Sequence, residues 1–210
     1  MSYIPPSWIF PPNPTPSSLS SLRFPETILS PPRRRVFVTY SKTDQLWADA
    51  FVRDFGPDGQ SICDPTALGV SDEDDFVRST NTDYIMSQIK AKYIEDRTVT
   101  VVLMGECTHS RKYVDWEIKS SLRQEGPFGL PNGLLGILVP PNTTAYMPPR
   151  FNLNYKGGYA KLYLWPQNGS ELRTWIEDAV SMRTSPNKIV ENPQWKLEQN
   201  QICSTHGYVH

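Results

Sequence analysis

Thr98-Val-Thr-Val-Val-Leu-Met104, closed by Gly105 and followed by Tyr113-Val114-Asp115-Trp116-Glu117-Ile118, is the stretch that decides the fold. A short, uninterrupted run of apolar and β-branched residues reads as a strand buried on both faces. Beyond it Val114, Ile118 and Leu122 recur every four residues, the stripe by which an amphipathic helix docks on a sheet. Tyr113, Glu117 and Ser121 share the adjacent face, so Glu117 stands at the edge of the buried stripe, just past the carboxyl end of the strand. Ligands of open α/β sheets bind in the crevice at the strand carboxyl ends, which makes Glu117 the leading functional carboxylate. Amphipathic helices also carry solvated glutamates, and periodicity alone does not separate the two readings.

The pattern repeats outward. Upstream, Val36-Phe-Val-Thr-Tyr40 is a second central strand, and Ser41-Lys42-Thr43-Asp44 supplies cap residues for a helix through Phe55 with Leu46, Trp47, Ala50, Phe51 and Asp54 at helical spacing. Ser61-Ile62-Cys63 is a weak strand before a loop carrying Pro65, Gly69 and the acidic run Asp72 to Asp75. Ile85, Ile89 and Tyr93 mark a helix within 79–95. Downstream, a turn-rich connection from Gly126 to Gly133 leads to the apolar strand Leu134 to Val139, stopped by Pro140-Pro141. A long insertion holding Pro148-Pro149 and Gly157-Gly158 precedes a last strand at Ala160 to Trp165. Ser170 is expected to cap a final helix with Leu172, Trp175, Ile176, Ala179 and Val180 on one face. Alternating β and α with two-sided apolar strands specifies an α/β, doubly wound parallel sheet of flavodoxin-like form, with 36–40, 99–103 and 134–139 as adjacent parallel strands.

Residues 33–183 are thus read as the domain, 184–210 as a polar C-terminal tail, and 1–32, with nine of the twenty prolines, as an N-terminal arm. Within the arm Trp8, Ile9 and Phe10 are apolar enough to be expected buried, against the domain or another subunit. A net charge of −1 without a basic stripe argues against a nucleic-acid surface. Arg33, Arg34 and Arg35 read as a solvated strand edge. Cys63, Cys107 and Cys203, odd in number and widely spaced, suggest neither a disulfide framework nor a metal site, and a reducing cytoplasm fits them. No signal peptide and no membrane span are expected.

Arg35-Val-Phe-Val-Thr-Tyr-Ser41, Thr98 to Gly105 and Arg111-Lys-Tyr-Val-Asp-Trp-Glu-Ile118, in that order, resemble the TIR-like domain of the Thoeris antiphage sensor proteins. The resemblance covers residues 33 to 140 and extends towards 183. In the wider TIR superfamily the helix motif is Trp-Cys-x-x-Glu; here it stands as Tyr113-Val114-Asp115-Trp116-Glu117, with the glutamate in register and both leading residues changed. Enzymatic members cleave the nicotinamide–ribose bond of NAD, hydrolysing it or cyclising the ADP-ribose into a signal read by a separate effector, and the matching glutamate is their catalytic residue. The resemblance therefore implies NAD as substrate, no cofactor, Glu117 as catalytic residue, and possible homo-oligomerisation. Glu117 would be ionised in a partly wet crevice.

The same resemblance puts Tyr40 and Ser41 on the nucleotide, against the alternative of an ordinary helix cap, and puts Asp64 with the loop to Asp75 in the place of a gating loop. Tyr113 and Trp116 are read as stacking groups or as core aromatics. The acidic run lacks calcium-loop spacing, and no metal is expected. A phosphoreceiver would need acids after its first and third strands, and neither Gly-x-Gly-x-x-Gly nor a Walker lysine occurs. His109 reads as a loop or cap residue. The rival in a different class is a non-catalytic TIR-like adaptor.

Overall fold

A computed structural model describes residues 33–67, 81–124, 129–185 and 187–209. The expected burial of Trp8, Ile9 and Phe10 and the acidic run from Asp72 to Asp75 lie outside the described residues.

Among the described residues five strands form one sheet: β1 Arg34–Thr39, β2 Cys63–Ala67, β3 Val99–Met104, β4 Gly133–Leu138 and β5 Lys161–Tyr163. Every pairing is parallel, in the order β2-β1-β3-β4-β5, the flavodoxin-like arrangement. The helices are α1 Gln45–Phe55, α2 Thr82–Ile89, α3 Lys112–Ser121, α4 Pro149–Lys156 and α5 Gly169–Met182. Period-two alternation sorts the strand side chains to two faces. Val36, Val38, Val101 and Leu103 pack with Phe51, Phe55, Leu172 and Ile176 of α1 and α5. On the other face Val102 and Met104 meet Val114 and Ile118 of α3 and Phe151 of α4, and Phe37 meets Ile85 and Ile89 of α2.

Several boundaries differ from the sequence reading, each for a local reason. Leu46 is 82% exposed. The buried face of α1 is Ala48, Phe51 and Phe55, because a 3-10 turn at Lys42–Asp44 rotates the start of the helix. Strand β2 continues through Pro65, which an edge strand tolerates. The insertion after β4 holds helix α4, with Pro149 in its first turn, where a missing N–H costs nothing. Helix α5 is capped by Asn168, whose side chain accepts from Glu171 N–H at 3.0 Å, and Ser170 lies inside the helix.

The cysteine reading is corrected. Cys107 and Cys203, 96 residues apart, are joined as a disulfide, and Cys63 is the free, buried thiol. Sequence spacing gave no sign of this, because the two meet only when the C-terminal segment returns to the sheet. The described residues of that segment form neither helix nor strand, yet they are bonded along α3. Trp116 Nε1–H donates to Leu197 O at 2.7 Å, Leu197 N–H to Asp115 Oδ2 at 3.0 Å, and Lys119 Nζ to Pro193 O at 2.9 Å. The side chain of Asn200 accepts from Lys112 N–H at 3.0 Å, so a residue 88 positions away caps a helix whose own cap residue, Arg111, provides none.

Beneath the segment lies an ion pair in which both side chains are fully buried, Arg150 with Asp115 at 3.1 Å. Arg150 also donates to Asn192 Oδ1, Pro193 O and Trp195 O, satisfying the fork that a dry guanidinium requires. No helix among the described residues is long and apolar enough to cross a membrane.

Candidate active site

The carboxyl ends of β1 and β3 define the site. Thr39 closes β1 on the same face as Phe37, the face covered by α2 and α3, and its hydroxyl donates to Glu117 Oε2 in the second turn of α3. Both side chains are buried, Glu117 being 2% exposed. Trp116 and Ile118, its neighbours in the helix, are buried too. Removed from water, the Glu117 carboxyl is pushed up to about 8 by desolvation, against which the Thr39 hydrogen bond pulls only partly. The expectation of a charged carboxylate in a wet crevice is corrected on this point: at neutral pH most molecules hold Glu117 protonated. The seating that puts it at the strand end also takes it out of solvent.

A polar cluster that sequence reasoning missed surrounds the turn after β3. Asp44 is buried and accepts from Thr108 Oγ1 at 3.1 Å, and Thr108 Oγ1 accepts from Gly105 N–H at 3.0 Å. A side chain at position 105 would collide with the Asp44 carboxylate, so the chain needs glycine there. Burial raises Asp44 to about 6, opposed first by the Thr108 hydrogen bond and then by the Arg111 charge. Arg111 donates to Ser41 Oγ at 3.2 Å, and Ser41 Oγ also meets Thr43 Oγ1 at 2.8 Å. Asp44 read as a helix cap and Gly105 as the end of a strand, and nothing in the sequence placed them with Thr39, Thr108 and Arg111. Only the pairing of β1 with β3 brings them together.

The other candidates divide. Ser41 lies on the crevice side with Arg111. Tyr40 is turned to the opposite face of the sheet, in the core cluster with Ala48 and Phe51, with its hydroxyl donating to Gln45 Oε1 at 2.9 Å. Its ring packs on α1, because alternation sends residues 39 and 40 to opposite faces. Asp64 is in β2, paired with Arg35. That is four residues before Thr39, about 13 Å along the strand and towards the amino end of the sheet. The loop that follows Ala67 lies outside the described residues. Tyr113 and Trp116 are edge to face at 5.0 Å and join the apolar cluster of Phe37, Ile85, Met86 and Ile89. With the Trp116 indole N–H given to Leu197, core is the reading that fits Trp116, while Tyr113 is only partly buried against the cluster. His109 is buried in the turn Thr108–Ser110, accepts from Ser204 N–H at 3.0 Å, and has its pKa lowered chiefly by burial.

Residues 37–144 match the model of the family described as Thoeris protein ThsB, TIR-like domain. The chain belongs to this family. The match runs from within β1 to the loop after β4 and so includes Thr39, Ser41, Asp44, the turn after β3 and all of α3 with Glu117. Membership in the ThsB TIR-like family carries a TIR-domain role in antiviral defence. No curated protein matches the chain.

Proposed function

We propose that this ThsB-type TIR-like domain acts as an NAD glycohydrolase or ADP-ribosyl cyclase. It would break the nicotinamide–ribose bond and release linear or cyclic ADP-ribose as a defence signal for a separate nucleotide-sensing effector in the cytoplasm. The observation that carries this reading is the placement of Glu117, in register with the TIR glutamate and held by the last residue of β1 at the carboxyl edge of the sheet.

Nicotinamide on a pyridinium nitrogen is already a good leaving group, so the barrier lies in positive charge developing on the ribose, and one fixed carboxylate suffices to answer it. The proton on buried Glu117 fits this scheme. A cationic nicotinamide ring entering the crevice favours the ionised carboxylate by attraction, so binding of NAD expels the proton and leaves the charge where the ribosyl cation forms. With Glu117 2% exposed, the crevice opens for the substrate to reach it. Ser41 and Arg111 offer a hydroxyl and a guanidinium suited to ribose and diphosphate oxygens.

Incubating purified protein with NAD, with and without a crowding agent that drives assembly, and measuring nicotinamide tests the proposal. Release that disappears in Glu117→Gln supports it. No release in any assembled state supports instead the adaptor reading, which the Glu117–Thr39 bond specifically favours, since a protonated carboxyl bridging α3 to β1 also works as a purely structural link.

A further inference from the structure

Across the turn after β3, the C-terminal segment builds a second cluster. Cys203 and His206 belong to a tight Cys-x-x-His turn, closed by His206 N–H at 3.2 Å and Gly207 N–H at 2.7 Å, both donating to Cys203 O. This turn sits on the Glu106–Cys107 corner, to which it is also tied by Thr205 Oγ1 donating to Glu106 O at 3.3 Å. The Sγ atoms of Cys107 and Cys203 and a ring nitrogen of His206 lie within 4.8 Å of one another. His206 Nδ1 is 3.3 Å from Cys107 Sγ, and Nε2 is 2.8 Å from Glu106 Oε2.

That last contact gives the imidazole its chemistry. A carboxylate on Nε2 holds the proton there and aims the Nδ1 lone pair at the sulfur atoms, the orientation that outer-shell carboxylates impose on metal-binding histidines. Two sulfurs and one imidazole nitrogen are the donor set of a Cys2His zinc site. Tetrahedral zinc with bonds of about 2.3 Å to sulfur and 2.0 Å to nitrogen separates sulfur from nitrogen by about 3.5 Å and sulfur from sulfur by about 3.8 Å. The first spacing is nearly met by Cys107 Sγ, 3.3 Å from the imidazole nitrogen, and with Cys203 Sγ within 4.8 Å, opening the S–S bond frees both sulfurs to close on one ion. A cleft of about 430 Å³ lined by Glu106, Tyr146 and Thr205 provides an entry path to the corner.

We propose that the reduced Cys107–Cys203 pair, together with His206, is a zinc-binding site, with Glu106 as the positioning residue on His206 Nε2. A dithiol reductant, such as a reducing cytoplasm contains, supplies two electrons and two protons, cleaves the disulfide and leaves two thiols. Binding of Zn²⁺ then displaces both thiol protons. Disulfide and zinc are alternative fasteners of the same segment to the same turn. The site is independent of NAD cleavage and departs from the expectation that the chain binds no metal.

The test uses the full chain, reduced with a phosphine, freed of reductant without air and titrated with Co²⁺ as a spectroscopic stand-in, followed by displacement with Zn²⁺. One ion per chain with a thiolate-to-cobalt charge-transfer band, absent from the oxidised chain, is the expected result. Cys203→Ser should abolish the band. Glu106→Gln, which disturbs only the outer carboxylate, should weaken affinity about 10- to 100-fold. His206→Gln, at a side chain 35% exposed and therefore tolerant of exchange, should weaken it at least as much. Cys63→Ser, at the buried thiol outside the cluster, should bind as the parent does. A reduced parent chain that takes up no metal, or a His206→Gln chain that binds as tightly as the parent, overturns the proposal.

Discussion

Replacing Glu117 by Gln should leave the protein less active and, at neutral and higher pH, more stable. The folded chain holds the Glu117 carboxyl at about 8 against an ordinary 4.5. Between these values the native state keeps a proton that the unfolded chain gives up, so stability falls as pH rises. At about 1.4 kcal/mol for each decade of pH, the loss reaches about 3 kcal/mol at pH 7 and roughly 5 kcal/mol once pH passes 8. Glutamine neither binds nor releases the proton, and its carbonyl still accepts from Thr39. Its amide brings N–H groups that, if unmatched, cost on the order of 1–2 kcal/mol at every pH alike. The gain at pH 7 should thus be about 1–2 kcal/mol and the pH-dependent part the full 3. Urea denaturation of both chains at pH 5, 7 and 9 reads the difference directly, since contributions from Asp44 and other shared groups cancel. Nicotinamide release, measured in parallel, should drop about a hundredfold or more. If the two chains showed the same pH dependence of stability, the buried, protonated state of Glu117 would be wrong; full activity in the folded variant would remove Glu117 from the chemistry.

The same titration predicts that kcat/KM for NAD rises with pH to a plateau above about 8, as the free enzyme loses the Glu117 proton, with kcat levelling at lower pH because bound substrate has already expelled it; initial rates across pH 5.5–9.5 test this. Arg150→Met should destabilise the fold by about 3–5 kcal/mol, read as a lowered denaturation midpoint, by stranding Asp115 in a dry site. Deleting 184–210 should remove the carbonyls that satisfy Arg150 and lower the melting temperature by several degrees or more, measured by calorimetry. Asp64→Asn should keep nicotinamide release within twofold, since the residue lies towards the other end of the sheet; a large loss would contradict the β1–β2 register.

The sheet was legible because its signals are local. Val36, Phe37 and Val38, Val99 to Met104, and Leu134 to Leu138 are each apolar on both faces, and only a central parallel strand satisfies such runs. The place of Glu117 followed from its spacing to Val114 and Ile118. What stayed hidden depends on partners distant in sequence. Asp115 looks like a solvated helix acid until Arg150 and Leu197 are placed beside it, and Asp44 looks like a helix cap until Gly105 and Thr108 close over it. Asn200 as a cap for α3 and Cys203 as the partner of Cys107 come from a segment without periodicity. Its order resides in hydrogen bonds to other elements, which composition does not reveal. The state of Glu117 was misjudged because a position at the strand end specifies where a carboxylate stands and says nothing of how dry it is.

The belt of contacts from Pro193 to Asn200 along α3 orders events in time. A chain emerging from the ribosome completes β1, β3 and α3 long before residues 193–200 exist. Until they arrive, the Trp116 indole and the first amide of the helix lack their acceptors, and Arg150 lacks the Pro193 and Trp195 carbonyls. The helix that carries Glu117 therefore receives these hydrogen-bond partners only at the end of synthesis, although its own residues are made midway, and a nascent or truncated chain lacks them.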